Sequence, residues 1–557
     1  MFRVIIRNAV SNWVGFLVQA VSAFLLTPFV LATLGASEYG VWTLVVGLTG
    51  YYGLLDLGFR AGLTQYMTRH LARGDIRQVN STASTGVLVL AACGGLILLA
   101  SLVLATAAPL LFHLPEGTER DVWWAIIING GAIALQFPLF PYSALFAATQ
   151  RYDLSNLIGV LTRLVTALAT FLSLRAGHGL IGLSLVVAGG NLLDYGLRWR
   201  VAYWILPELR VAVRLANLKS CWEFVHFGLW NVVISGSSRL LLYSGEILIG
   251  LFLPAEAIAP YAIAASLINY FTNLFVPIGT VFFPVATELD AQNKTEGLRS
   301  VYLFGSKMLL MLALPLGLLS GFWAEDFFRL WLGEGTNGAV PTTAANLFRL
   351  LLVAAALSAS QRVSYQVLLG MRRVRALAVL FGCEALASTV LTICFLPWLG
   401  VYGVAVGSLL PAVVFQGYLY PHVAGRMLTL PHWSYVRAVW LKPLAVGILL
   451  ASILTAIRFS QPVSSWLHLV LQGSLGGGAA VLLIAILGLN ADQREQFLAR
   501  PLTRMLGWAK LSWGRGLLLS INSESGEKIE LPLEVTGGAE TSCNGSVSQG
   551  GRKPVHF

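Results

Sequence analysis

The run from Phe224 to Leu253, FVHFGLWNVVISGSSRLLLYSGEILIGLFL, limits most tightly what this chain can become. It exceeds the roughly 20 residues that carry a helix across a hydrocarbon core. Yet it contains Arg239 and Glu246. Seven residues apart, they differ by only about 20° around a helix, and Asn231, Ser235 and Ser238 fall on the same side. A charge at bilayer depth costs about 2.5–3.5 kcal/mol even on insertion scales, so such residues face a bundle interior or a wet cavity. The expectation is a helical membrane protein whose polar interior accepts something charged.

Similar apolar runs recur along the chain. Fourteen spans are predicted, at roughly 9–32, 40–59, 84–107, 122–147, 155–174, 180–203, 224–252, 258–286, 301–323, 344–369, 376–397, 400–422, 440–457 and 465–489. Only 11% of the 557 residues are charged, against about 25% in soluble domains, so the class is an all-α polytopic membrane protein. Arg3 and Arg7 precede an apolar run without a small-residue cleavage site, which reads as a retained first span. Pro28, Pro138, Pro141, Pro277, Pro284 and Pro315 predict kinks, which membrane helices tolerate where neighbours or water re-satisfy the backbone.

The net charge of +11 could suggest nucleic acid, but its distribution follows membrane topology. With the N-terminus inside, the inner segments before the tail carry 21 Lys and Arg and the outer ones carry 4. That asymmetry places both termini in the cytoplasm. The longest outer loop, about 324–343, holds Glu325, Asp326 and Glu334 and is too short for a catalytic domain. Five scattered cysteines form no CxxC pair, the histidines show no metal-ligand spacing, and no P-loop or nucleophile–base set is present. No metal or bound cofactor is expected. About 491–519 is basic with apolar interleaving, as in an interfacial helix, and the residues beyond about 520 have a disordered composition.

A weak internal repeat runs at an offset near 219: Leu34–Glu38 parallels Leu253–Glu256, and Leu71–Asp75 parallels Leu289–Asn293. It predicts two parallel six-helix lobes over 1–220 and 221–430, two further helices in 431–490 and a cytoplasmic tail in 491–557. Transporters place substrate between such repeats. Asn12 and Gln19 share a polar stripe on the first span, and Asn269 and Asn273 on the eighth. Single amides of this kind often only tie helices together. Asp56–Arg60 and Asp194–Arg198 are spaced i, i+4 near the basic surface and read as structural or gating pairs. Arg163, Arg239 and Arg362 lie too deep to snorkel easily, and against Glu246 and Glu384 they leave one positive charge over. A guanidinium in a wet cavity suits an anion and grips phosphate with two hydrogen bonds.

The stretch from Asn12 to Asp75 then takes on meaning. Its "LG..EYG.W" turn (Leu34 to Trp42), the LLDLG at Leu54–Gly58 and the Gly74–Asp75 pair resemble bacterial polysaccharide-export flippases, the Wzx-type O-antigen and exopolysaccharide transporters. These belong to the multidrug/oligosaccharidyl-lipid/polysaccharide superfamily. The resemblance implies a MATE-like fold in the bacterial inner membrane and movement of an undecaprenyl-diphosphate-linked oligosaccharide between leaflets. It implies a diphosphate at Arg163, Arg239 and Arg362, and sugars at Asn12, Gln19, Asn231, Asn269 and Asn273. Glu246 or Glu384 would carry a coupling proton or sodium ion, with Asp56 and Asp194 gating. The bilayer is one partner, and glycan polymerases and chain-length or export proteins are implied neighbours. Two rivals are a multidrug antiporter of the same fold, which would favour acidic cavity residues, and a membrane-embedded glycan polymerase or ligase, which would need a large outer loop.

Overall fold

The computed structural model describes residues 2–55, 58–333, 339–460 and 462–488, with the backbone alone for 2–10, 218–229, 231 and 460. The basic tail therefore lies outside the described residues, as do Asp56 and the side chain of Asn231.

The described chain is helical throughout, with no strand among those residues. Thirteen helical stretches are long and apolar enough to cross a membrane. The first, Ser11–Leu54, has 44 residues. At 1.5 Å per residue that is about twice the thickness of a hydrocarbon core. It folds back at Gly35, whose φ of 77° and ψ of 170° leave the helical region. The contacts confirm the reversal. Phe29 packs on Phe171 before the turn, and after it positions 40, 47, 50 and 53 abut Ala255, Glu246, Tyr243 and Arg239 in that order. Divided at Gly35, the thirteen stretches give fourteen helical segments, the number of spans expected.

We number them α1 (2–34), α2 (36–50), α3 (Ile76–Leu111), α4 (Glu119–Ala148), α5 (Tyr152–Arg175), α6 (Gly179–Ile205) and α7 (Leu218–Phe252). The remainder are α8 (Ala255–Ala291), α9 (Thr295–Phe322), α10 (Ala339–Gly370), α11 (Val374–Leu399), α12 (Tyr402–Met427), α13 (His432–Phe459) and α14 (Trp466–Gly488). Short helices, Phe59–Ala72 and Ala324–Leu332, follow α2 and α9. Alternation of crossings puts the arginine-rich loops on one face, called here the basic face. Many large apolar side chains are exposed, such as Leu168, Leu386 and Leu475, because lipid replaces water as their surroundings.

The family-like residues of the first stretch have local reasons. Gly35 supplies the left-handed turn between α1 and α2. A Cβ at Gly40 would lie 2.0 Å from the carbonyl oxygen of Ala255, so only glycine lets α2 approach the α7–α8 turn. Gly74 adopts φ 71°, and Asp75 caps α3 by accepting from the Gln78 N–H at 3.0 Å. Pro138 and Pro141 coincide with a tightened turn, Phe137–Leu139, inside α4, and Pro284 follows the interruption of α8 at Val281, whereas Pro28, Pro277 and Pro315 lie within helices.

Two pairs of turns match at the offset expected of the repeat. The Asp75 N–H donates to the His70 carbonyl and the Lys294 N–H to the Leu289 carbonyl, 219 residues later, with Gly74 and Asn293 both at positive φ. The Arg151 N–H donates to the Phe146 carbonyl and the Arg373 N–H to the Leu368 carbonyl, each at 2.8 Å and now 222 residues apart. Gln150 and Arg372, the residues before, have φ of 56° and 59°. Two turns of the first half thus share local geometry with two turns of the second. A buried cluster at α9, α10 and α13 includes stacked Tyr302 and Tyr435, with ring centroids 5.3 Å apart.

Candidate functional site

Two polar cavities open within the bundle, separated by α8. Tyr270 of α8 lines the first and its neighbour Asn269 lines the second. The first, about 700 Å³, is walled by Gln19 of α1, Thr162, Arg163 and Thr166 of α5, and Asn191, Asp194 and Arg198 of α6. The second, about 400 Å³, holds Arg362 of α10, Glu384 of α11 and Gln416 of α12, with Tyr365 and Tyr420.

In the first cavity Arg198 ties α6 to α5. Its Nε donates to Asp194 Oδ2 at 2.6 Å, its Nη1 to Ser155 Oγ at 2.6 Å, and its Nη2 to the Ser155 carbonyl at 3.1 Å. The Thr162 hydroxyl also donates to Asp194 Oδ1, at 3.2 Å. Asp194 is thus neutralised in place. Arg163 differs. Among the described residues its guanidinium makes one side-chain hydrogen bond, to the Gly15 carbonyl at 3.3 Å. It is exposed to the cavity with most of its donors uncommitted, so the cavity carries one net positive charge.

In the second cavity Gln416 Nε2 donates to Glu384 Oε1 at 2.6 Å. A turn of π-helix, Phe415–Leu419, sets the position of Gln416, a distortion often found where a helix side chain is re-aimed. Arg362 is backed by Gly279 of α8, and its buried Nε has no hydrogen-bond partner among the described residues. One arginine and one carboxyl share this space, so it holds no excess charge.

The remaining predicted residues fall elsewhere. Arg239 lines neither cavity. It reaches across from α7 to the Gly50 carbonyl, at the end of α2 where the helix tightens into Tyr51–Leu54. Glu246, two turns further along the same face of α7, is packed against Gly47 of α2, and its buried Oε2 has no hydrogen-bond partner among the described residues. The grouping of three arginines with two carboxylates in one cavity is therefore replaced by three separate places. Asn12 accepts from Asn156 Nδ2 at 2.6 Å, joining α1 to α5. Asn273 donates to Asn269 Oδ1 at 3.3 Å along α8. Arg60 lies over the rings of Phe137 and Phe140, at 4.2 and 4.7 Å.

Ser155, Gln416, Tyr420 and Arg349 escaped the sequence reading. Arg349 donates to the Gly321 carbonyl at the end of α9 and lies 3.6 Å from Glu325. A usable signal existed for Gln416 and Tyr420. Thr162 and Asp194 are 32 residues apart and bonded, as are Glu384 and Gln416. Adding 222 to 162, 194 and 198 gives 384, 416 and 420.

A third recess, about 490 Å³, is almost wholly apolar and lies among α1, α8, α9, α10 and α14, with Phe16, Leu267, Phe271, Leu316 and Leu469 on its walls. Tyr270 lines it as well as the Arg163 cavity.

Residues 5–290 match the profile of the family described as polysaccharide biosynthesis protein. The chain belongs to that family. Among its relatives, the uncharacterized membrane protein EpsK of Bacillus subtilis (strain 168) is 22% identical over 508 residues, covering 88% of this chain and 97% of its own. A putative O-antigen transporter of Shigella flexneri is 22% identical over 359 residues, 63% of this chain and 81% of its own. The fold resembles the inward closed conformation of the lipid II flippase MurJ, with a TM-score of 0.66 over 86% of this chain and 98% of that one, at 12% identity. It also resembles an inward-facing multidrug resistance MATE transporter, with a TM-score of 0.56 at 15% identity, covering 73% and 95%. This family member is a multi-pass membrane protein, as expected for the bacterial inner membrane.

Proposed function

We propose that this protein is a flippase that moves a polyprenyl-diphosphate-linked oligosaccharide across the membrane for surface polysaccharide assembly. The observation that carries this reading is the shared wall at Tyr270. On one side of it lies a wet cavity with the uncommitted guanidinium of Arg163, and on the other a dry recess lined by Phe16, Phe271 and Leu469. An amphiphile with an anionic head and a hydrocarbon tail satisfies both at once. A drug cation would meet the wrong charge at Arg163, and a free sugar would leave the apolar recess unused. Gln19, Asn191 and Thr166 supply donors and acceptors for sugar hydroxyls beside the diphosphate.

The transport cycle in this reading is alternating access of the α1–α6 and α7–α12 halves. Their contact along α2 and α7 is closed by Arg239 on the Gly50 carbonyl. Glu384, or the unpartnered Glu246, would carry the coupling proton or sodium ion. One charge moved down 100 mV yields about 2.3 kcal/mol.

The test is deletion in the native host, with complementation. Lipid-linked oligosaccharide should accumulate on the cytoplasmic side and surface polysaccharide should be lost. The intact protein should restore export and R163A at equal protein level should not. Normal surface glycan together with new sensitivity to cationic dyes would point to a drug antiporter. Translocated but unpolymerised glycan would point to a polymerase.

A further inference from the structure

The repeat provides an internal comparison that isolates an unassigned site. The turn before α11 copies the turn before α5. Gln150 and Arg372 share φ near 60°, and the caps Arg151 and Arg373 share backbone angles, φ −92° with ψ 51° and φ −88° with ψ 43°. The side chains diverge. In the first turn Arg151 pairs with Asp153 at 3.3 Å, and Gln150 is neutral, so the charges cancel. In the second, the matching positions are Arg372, Arg373 and Arg375. All three are exposed, and no ion pair to any of them is found among the described residues. The Arg375 guanidinium instead lies 5.7 Å from the centre of the Trp230 ring on α7.

These arginines rim a cleft of about 520 Å³ whose floor, between α11 and α12, is apolar: Val379, Val423 and Met427. Membrane topology accounts for positive charge on this face. It does not require a charged mouth above a greasy cleft. None of the cleft residues lines either polar cavity or the recess beside α14. Val379 is about half exposed, on a surface that faces lipid.

We propose that this cleft binds the phosphate headgroup of a resident anionic phospholipid, with its acyl chains lying over Val379 and Val423. Guanidinium groups grip phosphate oxygens in pairs, and basic pockets between helices at a membrane surface select anionic headgroups. The site lies apart from the cavities and does not depend on what the protein transports. The diphosphate of a transported lipid has the same chemistry. A phospholipid is favoured because the cleft opens outward and has no wall in common with the interior.

The test uses the full chain, delipidated in detergent and titrated with phosphatidylglycerol or phosphatidylcholine, with bound lipid read by native mass spectrometry. The wild type should retain phosphatidylglycerol in preference to phosphatidylcholine. R375D recreates the carboxylate of the first turn in a backbone known to accept it, so it should fold and should weaken retention about tenfold, roughly the worth of one charge-assisted hydrogen bond. R372Q/R373Q/R375Q should abolish the preference, and R151Q should leave it intact. Equal phosphatidylglycerol retention by R375D and wild type, or equal retention of the two lipids by wild type, overturns the proposal. So does displacement of phosphatidylglycerol by equimolar undecaprenyl diphosphate, which would make the cleft an entry point for transported lipid.

Discussion

The ion pair between α5 and α6 gives the sharpest prediction. Arg198 makes a two-point contact with Asp194, through Nε at 2.6 Å and Nη2 at 3.2 Å, and two more hydrogen bonds to Ser155. The two side chains are 16% and 20% exposed, so water from the cavity reaches them only in part. Three magnitudes compete. Removing one partner of a fully buried pair costs about 3–5 kcal/mol. Unit charges 4 Å apart attract by about 4 kcal/mol at an effective dielectric of 20. Hydrogen bonds between membrane helices average about 0.6 kcal/mol, because the unfolded chain also finds partners in the bilayer. The partial exposure here and the membrane reference state both pull the value down. We therefore expect R198A to destabilise by about 2–3 kcal/mol, since it strands Asp194 with only Thr162. D194N should cost less, about 1 kcal/mol, because Arg198 keeps Ser155 and is wetted by the cavity. The double variant R198A/D194N should cost less than the sum of the single changes, by about 1–2 kcal/mol of coupling. Reversible unfolding in mixed micelles, or steric trapping in bicelles, gives each value. An additive double variant, or an R198A cost below about 0.5 kcal/mol, would mean that water already screens the pair and would refute the reasoning.

Two further outcomes follow from the same geometry. R163A removes one long hydrogen bond to the Gly15 carbonyl, so its stability should stay within about 0.5 kcal/mol of wild type while polysaccharide export falls sharply, with R163K intermediate because it keeps charge but loses the fork; unfolding free energy and cell-surface glycan measured side by side check this. G40A should destabilise by about 1–3 kcal/mol through overlap with the Ala255 carbonyl, whereas G95A, where an added Cβ meets nothing within 4 Å, should be neutral or stabilising by the same unfolding assay.

Much of the scaffold was legible because the constraints on it are local. Segment length and apolarity fix the crossings, and Gly35, Gly40 and Asp75 each meet a backbone need that a sequence can announce. The Ser11–Leu54 stretch is foreseen as two spans because no single helix of that length fits a bilayer, and the break falls at Gly35. The site was less legible. A polar stripe on a helical wheel says that one side needs polar partners but not whose. Arg239 and Glu246 share a stripe, yet the stripe faces α2, where the Gly50 carbonyl at a tightening helix end serves Arg239 as well as any ligand could. Asn12 likewise spends itself on Asn156. The pairing of Glu384 with Gln416 rests on a turn of π-helix that no hydrophobic pattern reports.

At an offset of 222 residues the two cavities have matching positions that carry different charges. Positions 162, 194 and 198 match 384, 416 and 420, and in both halves the fifth helix is bonded to the sixth across 32 residues. In the first half the acid sits on the sixth helix, where Arg198 one turn away cancels it and leaves Arg163 free to act as a cation. In the second half the acid sits on the fifth helix, its bonded partner is an uncharged amide, and Tyr420 stands where Arg198 would. The first cavity thus holds a locked acid with an uncommitted guanidinium, and the second an acid bonded to an amide with Arg362 in the same space. Under the proposed cycle, these are the two properties an ion-coupled exporter of anions must keep apart. Arg362 shares the second cavity with Glu384 and leaves it without excess charge, so the uncommitted cation that suits a diphosphate lies in the first. Separation by α8 lets substrate and ion occupy different halves while the contact between α2 and α7 links their positions.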